Sequence, residues 1–185
     1  MEHLGTARLE TERLILRRFR ADDGEAMFRN WASDGEVTKF LTWQTHGSKA
    51  VSDMVIADWV SRYSQDDYYQ WAVELKEIGE PIGSIAVVRL FPEADGVEIG
   101  YCIGRKWWHK GIMSEALSEI MRFFFDDVKA NRVCAEHDAN NPHSGMVMAK
   151  CGLLFEGKTR LSRRNNQGLC DTCHYGLCAE DYRKK

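Results

Sequence analysis

The sequence is poor in proline and lacks long apolar runs. Its 185 residues include three prolines and no low-complexity segment. We therefore see no linker and expect a single domain over residues 1–185. No window of about 18 residues is apolar throughout, which argues against a membrane span. The N-terminal residues lack the basic region and apolar core of a secretion signal, so we expect a cytoplasmic protein.

An excess of positive charge is also missing. The formal net charge is −3, so the chain has no broad basic surface of the kind that binds a nucleic-acid backbone. The basic run at residues 158–164 is typical of a solvated face. We expect no direct nucleic-acid partner and no membrane partner, and we leave open whether the protein forms a homodimer.

The six cysteines are expected to be reduced thiols. Cys170 and Cys173, followed by His174, have the spacing of half a zinc site. A structural zinc site usually needs a second ligand pair, and the sequence has none at suitable spacing. Strand alternation also places the two thiols on opposite faces of a strand. We therefore expect no metal.

Apolar periodicity predicts strands with helices inserted between them. The expected strands cover residues 11–18, 69–77, 81–91, 95–104, 132–138, 153–162 and 169–179. Helices are expected over residues 22–31, after Ser33-Asp34, over 48–64, from Gly111 to about 124 and over 142–151. This order predicts an α/β (α+β) fold with three layers.

The most informative segment, residues 105–116, joins a predicted strand to a predicted helix. Backbone N–H groups at a helix start have no intrahelical partners and lie at the positive end of the helix dipole, so they bind anions such as a pyrophosphate. Lys110 adds positive charge, and Gly111 allows a ligand to approach the backbone. The segment has neither the P-loop string nor the three glycines of the dinucleotide fingerprint. On this segment alone, a phosphate site and a solvated basic turn remain equally open.

Four stretches, in the right order, resemble the GNAT N-acetyltransferase superfamily. They are similar in particular to its ribosomal-protein N-terminal (serine/alanine) acetyltransferase branch. The first is Leu9-Glu-Thr-Glu-Arg-Leu-Ile-Leu-Arg17, and the second is Glu98-Ile-Gly-Tyr101 with Trp108-His-Lys-Gly-Ile-Met-Ser-Glu-Ala116. The third is Asn141-Pro-His-Ser144 with Lys150-Cys-Gly-Leu153, and the fourth is Gly168-Leu-Cys-Asp171 with Tyr175. The similarity therefore extends over nearly the whole chain.

The resemblance implies a mostly antiparallel central sheet, flanked by helices, that splays between its fourth and fifth strands. Acetyl-CoA is expected in that opening as the cosubstrate, without a metal. A strand bulge is expected to expose backbone donors of Cys102 and Ile103. The implied acetyl-CoA contacts are Cys102, Ile103, Trp108, His109, Lys110, Gly111, Ile112, Met113, Asn141 and Ser144.

Three residues of the turn depart from the family pattern. Trp108 stands where the wider superfamily has Gln or Arg, although Trp is ordinary in this branch. His109 replaces a glycine, and a histidine tolerates positive φ poorly. Met113 replaces a Gly or Ala, and its side chain is expected to crowd the cofactor.

Glu98 is the candidate base, or the group that holds the amine. Strand alternation places it on one face with Gly100, Cys102 and Gly104, and paired glycines suggest a face that a ligand approaches. The alternative is that Glu98 pairs with a basic neighbour on an adjacent strand. The two interpretations have similar support from the sequence.

Ser144 is the candidate acid that protonates the departing thiolate. This role follows from the resemblance, because the tyrosine that much of the superfamily uses after the fifth strand is missing here. Asn141 is implied as a partner of the pantetheine arm. Asn141 and Ser144 are also the residues that an ordinary helix N-terminus uses for capping, and both roles can hold together.

The resemblance implies direct acetyl transfer to a primary amine, with a protein N-terminus, such as that of a ribosomal protein, as the acceptor. Two alternatives stay open. The acceptor can be a small-molecule amine, such as an antibiotic, a polyamine or an amino acid. The second alternative belongs to a different class, a catalytically weak acyl-CoA-binding module, and is motivated by His109 and Met113 in the turn and by the missing tyrosine.

Overall fold

The computed structural model describes residues 1–184, which contain an eight-stranded mixed sheet. The strands are β1 (Leu9–Glu10), β2 (Leu14–Arg17), β3 (Gln70–Leu75), β4 (Glu80–Phe91), β5 (Gly96–Ile103), β6 (Arg132–Asp138), β7 (Leu154–Asn165) and β8 (Gly168–Cys178). Their order in the sheet is β1-β2-β3-β4-β5-β6-β8-β7. Neighbours are antiparallel except β5 and β6, which are parallel.

Six α-helices lie between or after the strands within the described residues. They are α1 (Gly24–Met27), α2 (Gly35–Thr38), α3 (Lys49–Ser61), α4 (Ile112–Arg122), α5 (Pro142–Lys150) and α6 (Ala179–Tyr182). Wider π-helical turns extend α1 over Phe28–Ala32 and α4 over Phe123–Asp127. None of the helices in residues 1–184 combines the length and the apolar character needed to cross a bilayer. The α/β arrangement with a mostly antiparallel sheet agrees with the prediction.

The main hydrophobic core lies between the sheet and α4. The strand residues that face it alternate as the sequence predicts, with Val97 and Ile99 on β5 and Val133 on β6 almost fully buried. From α4, the stripe that includes Leu117 and Ile120 is also almost fully buried. The apolar periodicity of this helix therefore serves packing.

A smaller aromatic cluster covers the other face of β3 and the end of β5 nearest the turn. Phe19, Trp31 and Ile56 lie at its centre, with Trp59 packed against Phe19 at a ring distance of 4.8 Å. The aromatic residues between β2 and β3 thus mainly form core. On this side of the sheet, residues of β6, β7 and β8 line a cavity beside Glu98.

Two predicted boundaries differ from the structure for local reasons. The first strand was expected over residues 11–18, but Thr11 forms a turn that separates β1 from β2. Its N–H donates to the Leu14 carbonyl at 3.0 Å, and its hydroxyl accepts from the Leu14 N–H at 3.1 Å. The helix expected from residue 22 begins as α1 at Gly24, with Asp23 at the N-cap position. The Asp23 carboxylate caps no amide of α1; it is buried and accepts from Arg17 Nη1 and Nη2 at 2.7 and 2.9 Å.

The parallel strands β5 and β6 diverge soon after they begin. They pair only at Gly96↔Arg132, Val97↔Val133 and Glu98↔Cys134, although β5 continues to Ile103 and β6 to Asp138. This gap, between residues 99–103 and 135–138, is closed at Glu98 and opens toward the starts of α4 and α5. Counted from β2, it lies between the fourth and fifth strands, as the resemblance implied.

Candidate functional site

The turn between β5 and α4 forms one side of the mouth of the gap. His109 and Gly111 both have left-handed backbone conformations, with φ of 59° and 72°. The first intrahelical bond of α4 runs from the Glu115 N–H to the Gly111 carbonyl at 3.1 Å. The three preceding amides, at residues 112–114, therefore lie at the open helix end, where an anion can accept hydrogen bonds from them.

One distant segment of the sequence, residues 11–13, holds this turn in place. The Glu115 carboxylate accepts from the Thr11 hydroxyl at 2.5 Å, from the Arg13 N–H at 2.9 Å and from Arg13 Nε at 2.6 Å. Arg13 also donates through Nη1 to the Lys110 carbonyl at 3.0 Å. Burial acts to raise the pKa of Glu115, but the hydrogen bonds from Thr11 and Arg13 prevail and lower it. Glu115 thus stays ionised and keeps the turn attached to the start of β2.

Two cationic side chains that were not predicted as site residues converge on Gly111. A Cβ atom added to Gly111 would lie 3.6 Å from Lys150 Nζ and 3.7 Å from Arg13 Nη2. Lys150 ends α5, and Arg13 precedes β2, so only the fold brings them together. Their charges add to the positive end of the α4 dipole and favour an anionic ligand.

The other side chains of the turn mostly face the protein. The Trp108 indole donates to the Ile103 carbonyl at 2.8 Å and packs against the aromatic cluster. Ile112 is 3% exposed and Met113 is 5% exposed, and both belong to the main core. The expectation that Met113 crowds the cofactor is therefore wrong, because its side chain faces the sheet. Lys110 is exposed.

Backbone donors line the β5 side of the gap. The Gly104 N–H donates to the Ile82 carbonyl at 2.9 Å, and Gly83 pairs with Ile103. In an antiparallel ladder this register directs the Cys102 amide to β4 and the amides of Tyr101 and Ile103 away from β4, toward the gap. Tyr101 therefore takes the place expected for Cys102 as a donor. The strand bulge that was expected to expose these donors is found in β4, where the register shifts between Val87 and Arg89, and not beside Cys102 and Ile103.

Ser144 lies across the gap from β5 and bonds to Tyr101. The Tyr101 hydroxyl donates to the Ser144 carbonyl at 2.9 Å, and Ser144 Oγ donates to the Tyr101 oxygen at 3.1 Å. Burial raises the pKa of Tyr101, so its hydroxyl stays protonated near neutral pH. Asn141 is the N-cap residue of α5, and no side-chain bond caps this helix in the described structure. The capping role considered for Asn141 and Ser144 is therefore not what their side chains do here.

Tyr101 was not identified as a site residue, although the sequence contains a signal for it. It shares a strand face with Ile99 and Ile103, and a buried tyrosine hydroxyl needs a hydrogen-bond partner. That partner is 43 residues away in the sequence, so alternation alone does not reveal it.

A cavity of about 360 Å³ lies near the closed end of the gap. Its ionisable lining side chains sit on the sheet face opposite α4, and they are Glu98, Glu136, Glu156, Arg89, Arg132, Arg163 and His174. The glycine-rich face expected beside Glu98 is only partly open, because Val88 covers Gly100. A Cβ atom at Gly100 would lie 2.7 Å from Val88 Cγ1.

Glu98 is the least strongly paired of the three carboxylates. Arg163 binds Glu136 through Nε at 2.5 Å and Nη2 at 3.1 Å. Arg132 likewise binds both oxygens of Glu156. By contrast, Arg89 Nη1 is 3.8 Å from Glu98 Oε2, which is too long for a hydrogen bond.

The pKa of Glu98 is raised above its ordinary value. Burial is the main cause, since the residue is only 8% exposed, and the charge of Glu136 acts in the same direction. The positive charge of Arg89 opposes the shift without cancelling it. Both interpretations of Glu98 thus have a physical counterpart, namely a long ion pair to a neighbouring strand and a carboxylate of increased basicity.

These features define a class of protein, a transferase whose donor carries phosphate groups. The basic turn at the mouth suits the phosphates, the gap leads inward past backbone donors, and a carboxylate lies at the closed end. Residues 13–154 match the family described as Acetyltransferase (GNAT) domain. The chain belongs to this family and is an acyltransferase.

Similar proteins agree with this assignment. An uncharacterized N-acetyltransferase of Bacillus subtilis, YoaA, is 30% identical over 169 residues, which cover 91% of this chain and 95% of that protein. The [Ribosomal protein uS5]-alanine N-acetyltransferase of Escherichia coli is 37% identical over 59 residues, about 32% of this chain and 30% of that protein. Among solved structures, a GNAT-family acetyltransferase from Bacillus anthracis has a TM-score of 0.82 at 24% identity, covering 94% of this chain and 99% of that one.

Proposed function

We propose that this protein transfers an acetyl group from acetyl-CoA directly to a primary amine, and that the acceptor is a protein N-terminus. The observation that carries the proposal is the position of Glu98. This weakly paired carboxylate lies where the gap closes and borders a cavity on the face opposite α4. The donor and the acceptor can therefore reach the same point from different sides of the sheet.

The residues at the mouth fit the phosphate groups of acetyl-CoA. The free amides of residues 112–114 are suitable donors, and Gly111 leaves the backbone open beside Lys150 and Arg13. A related fold, the microcin C7 self-immunity acetyltransferase MccE, was solved in complex with acetyl-CoA and AMP, with a TM-score of 0.80 at 16% identity. When bound, acetyl-CoA would supply an activated acetyl thioester, and the amides of Tyr101 and Ile103, which point away from β4, would donate to its carbonyl oxygen.

In this proposal Glu98 takes the proton of the acceptor amine. A free α-amino group has a pKa of about 7.7 to 8, so part of it is already neutral under physiological conditions. The raised pKa of Glu98 brings its basicity closer to that of the amine, which makes proton transfer more efficient.

Ser144 provides a proton near the departing sulfur, and Tyr101 holds the Ser144 hydroxyl. Because Tyr101 has one proton and two acceptors on Ser144, at 2.9 and 3.1 Å, a small rotation of its hydroxyl exchanges donor and acceptor within the pair. When Tyr101 donates to Ser144 Oγ, the Ser144 O–H can turn toward the gap and donate to the departing sulfur. The proton that the thiolate takes from Ser144 is restored from solvent, to which Glu98 returns the proton of the amine.

The acceptor class is supported by relatives that act on ribosomal proteins. Besides the Escherichia coli enzyme, the ribosomal-protein-S5-alanine acetyltransferase of Vibrio fischeri has a TM-score of 0.81 at 18% identity, covering 95% of this chain. A small-molecule amine is the second candidate acceptor. The cavity of about 360 Å³ favours it, because this volume is typical of small-ligand sites.

The first test is a thermal-shift titration with acetyl-CoA, CoA and NAD in parallel. At about 100 times its Kd, a ligand stabilises the fold by roughly 2.7 kcal/mol, which such a scan detects. We expect a response to both CoA species and none to NAD. The absence of a response to either CoA species would contradict the proposal.

Acetylation assays then decide the acceptor. Mass spectrometry follows acetyl transfer to peptides with free N-termini and, separately, to polyamines, aminoglycosides and amino acids. Peptide acetylation at the α-amine supports the main proposal, and transfer only to small amines replaces it with the second candidate. Tight CoA binding without any transfer would instead support a catalytically weak acyl-CoA-binding module.

A further inference from the structure

Two of the three arginines that line the cavity beside Glu98 are neutralised within the protein. Arg163 donates to both carboxylate oxygens of Glu136, and Arg132 donates to both oxygens of Glu156. Each bidentate pair carries no net charge and uses a side of the guanidinium for its partner. These two pairs therefore offer little attraction to a charged ligand.

Arg89 is the third arginine of the cavity, and it has no such partner. Its Nη1 is 3.8 Å from Glu98 Oε2, and Glu98 is the one carboxylate of residues 1–184 that comes this close to it. The guanidinium also lies 5.5 Å from the centroid of the Phe91 ring, a contact that occupies no N–H group. Because its side chain is 47% exposed, Arg89 is accessible to a ligand in the cavity.

A bulge in β4 directs Arg89 to the cavity side of the sheet. The pair Val87↔Ile99 is followed by the pair Arg89↔Glu98, so β4 contains one residue more than β5 over this step. In a regular ladder Arg89 would lie opposite Val97, which faces the main core. The extra residue turns the charged side chain away from the core and places it beside Glu98, as bulges near functional sites commonly do.

Binding of an amine leaves Arg89 without a counter-charge. An acceptor that arrives as an ammonium ion competes with Arg89 for the Glu98 carboxylate. Once Glu98 has taken a proton from the amine in the proposed mechanism, the carboxyl group is neutral. The guanidinium keeps its charge in both states, because arginine does not lose its proton in proteins. A cation that is desolvated without a partner is unfavourable, and an anion on the acceptor would provide that partner.

We infer that Arg89 is a specificity residue that binds a carboxylate of the acceptor, and that the preferred acceptor carries this carboxylate close to its amine. The inference rests on the proposed function and narrows the class of acceptor. Because Arg89 and Glu98 lie side by side, the two groups of the acceptor that they bind must be only a few bonds apart.

Two kinds of acceptor have this chemistry. One is a free amino acid, and the other is a protein N-terminus with an acidic side chain in its first two residues. Amines that carry several positive charges and no anion, such as polyamines and aminoglycosides, are disfavoured, because a further ammonium group would lie next to Arg89.

The test measures kcat/KM for the acetylation of matched acceptors. One pair is alanine and alaninamide, and the other is two peptides that differ only in Asp or Asn at the second position. Spermidine serves as the cationic acceptor. The variants are Arg89→Gln, which removes the charge, and Arg89→Lys, which retains it. Arg160→Gln is the control, because Arg160 is exposed on β7 outside the cavity.

The readout is the ratio of kcat/KM between the two members of a pair. Arg89→Gln removes a charge that acts to lower the pKa of Glu98, so the rates with all acceptors change. The ratio cancels this effect, since both members of a pair use the same Glu98. Comparing the ratio between proteins also cancels the different basicity of the two amines. A merely structural role of Arg89 would leave the ratio unchanged.

We expect Arg89→Gln to lower the preference for the carboxylate member of a pair about tenfold relative to the wild type, the effect of one charge-assisted hydrogen bond. Arg89→Lys should retain part of the preference, and Arg160→Gln should retain all of it. A response confined to the alanine pair assigns the carboxylate to a free amino acid. A response confined to the peptides assigns it to a protein N-terminus.

Equal ratios in the wild type and Arg89→Gln for both pairs would overturn the role of Arg89 and leave the proposed function intact. The same holds if Arg160→Gln lowers the ratio as much, or if the wild type acetylates spermidine more efficiently than the carboxylate acceptors. Failure to acetylate any amine would instead overturn the proposed function.

Discussion

Gly145 allows α5 to lie close to the sheet, and replacing it tests how the site is positioned. A Cβ atom at this position would lie 2.5 Å from His137 Nε2, 3.1 Å from His137 Cε1 and 3.2 Å from Tyr175 Oη. The first distance is shorter than real contacts allow, and the imidazole is held by a 2.8 Å bond between its Nδ1 and the Asp138 carbonyl. In Gly145→Ala, α5 or the imidazole must therefore move.

The cost in stability is expected to be modest. Overpacking a close contact costs about 1–3 kcal/mol, and alanine in a helix recovers up to about 1 kcal/mol relative to glycine. A net loss of about 1 kcal/mol lowers Tm by roughly 2–4 °C in a chain of this size. The effect on activity should be larger, because Ser144 immediately precedes Gly145 in α5, and a displacement of about 1 Å can cost about a hundredfold in rate.

The measurement combines Tm with kcat and the KM for acetyl-CoA. Gly35→Ala in α2 is the matched control, because a Cβ atom there has no neighbour within 4 Å. The double variant Gly145→Ala/His137→Ala should recover part of the lost activity, since the clashing ring is removed. If Gly145→Ala retains full kcat, or behaves like Gly35→Ala, the argument that this glycine positions Ser144 is refuted.

Two further predictions concern the proton-transfer groups. Because the charge of Glu136 helps raise the pKa of Glu98, Glu136→Gln should lower that pKa. The rate falls as pH decreases through the pKa of the base, so the acid limb of the pH–kcat/KM profile should move to lower pH. Glu156→Gln is the control within the cavity, and an unmoved limb in Glu136→Gln would exclude Glu98 as the base. Tyr101→Phe, which removes both bonds to Ser144, should lower kcat about tenfold, as expected for roughly 1.4 kcal/mol, with little change in acetyl-CoA affinity. An unchanged kcat would remove Tyr101 from the mechanism.

The strands, the main helices and the phosphate turn could be predicted from the sequence because their signals are local. Alternation in residues 96–103 reports directly which side chains face the core, and the observed burial of Val97 and Ile99 agrees. The stripe of α4 is equally local. The glycine at 111 predicts a backbone that only a residue without a Cβ atom adopts readily, and its φ of 72° agrees.

Contacts between strands and helices far apart in the sequence were decided only by the tertiary structure. Met113 was expected beside the cofactor, but the rotation of α4 on the sheet directs it into the core. The hydrogen-bond register with β4, and not the identity of the residue, determines that Tyr101 and not Cys102 directs its amide toward the gap. Alternation cannot show register, because a ladder is defined by its partner strand.

The chemistry of the site depends on the same long-range packing. Glu98 acquires its raised pKa from burial and from Glu136 on β6. The ring contact between His109 and His143 exists only because the turn after β5 and the start of α5 meet at the mouth of the gap. A local pattern determines which face a side chain occupies. Only the packed structure determines which charge, hydroxyl or ring lies opposite it, because electrostatic and hydrogen-bond energies depend on distances between residues that the sequence separates.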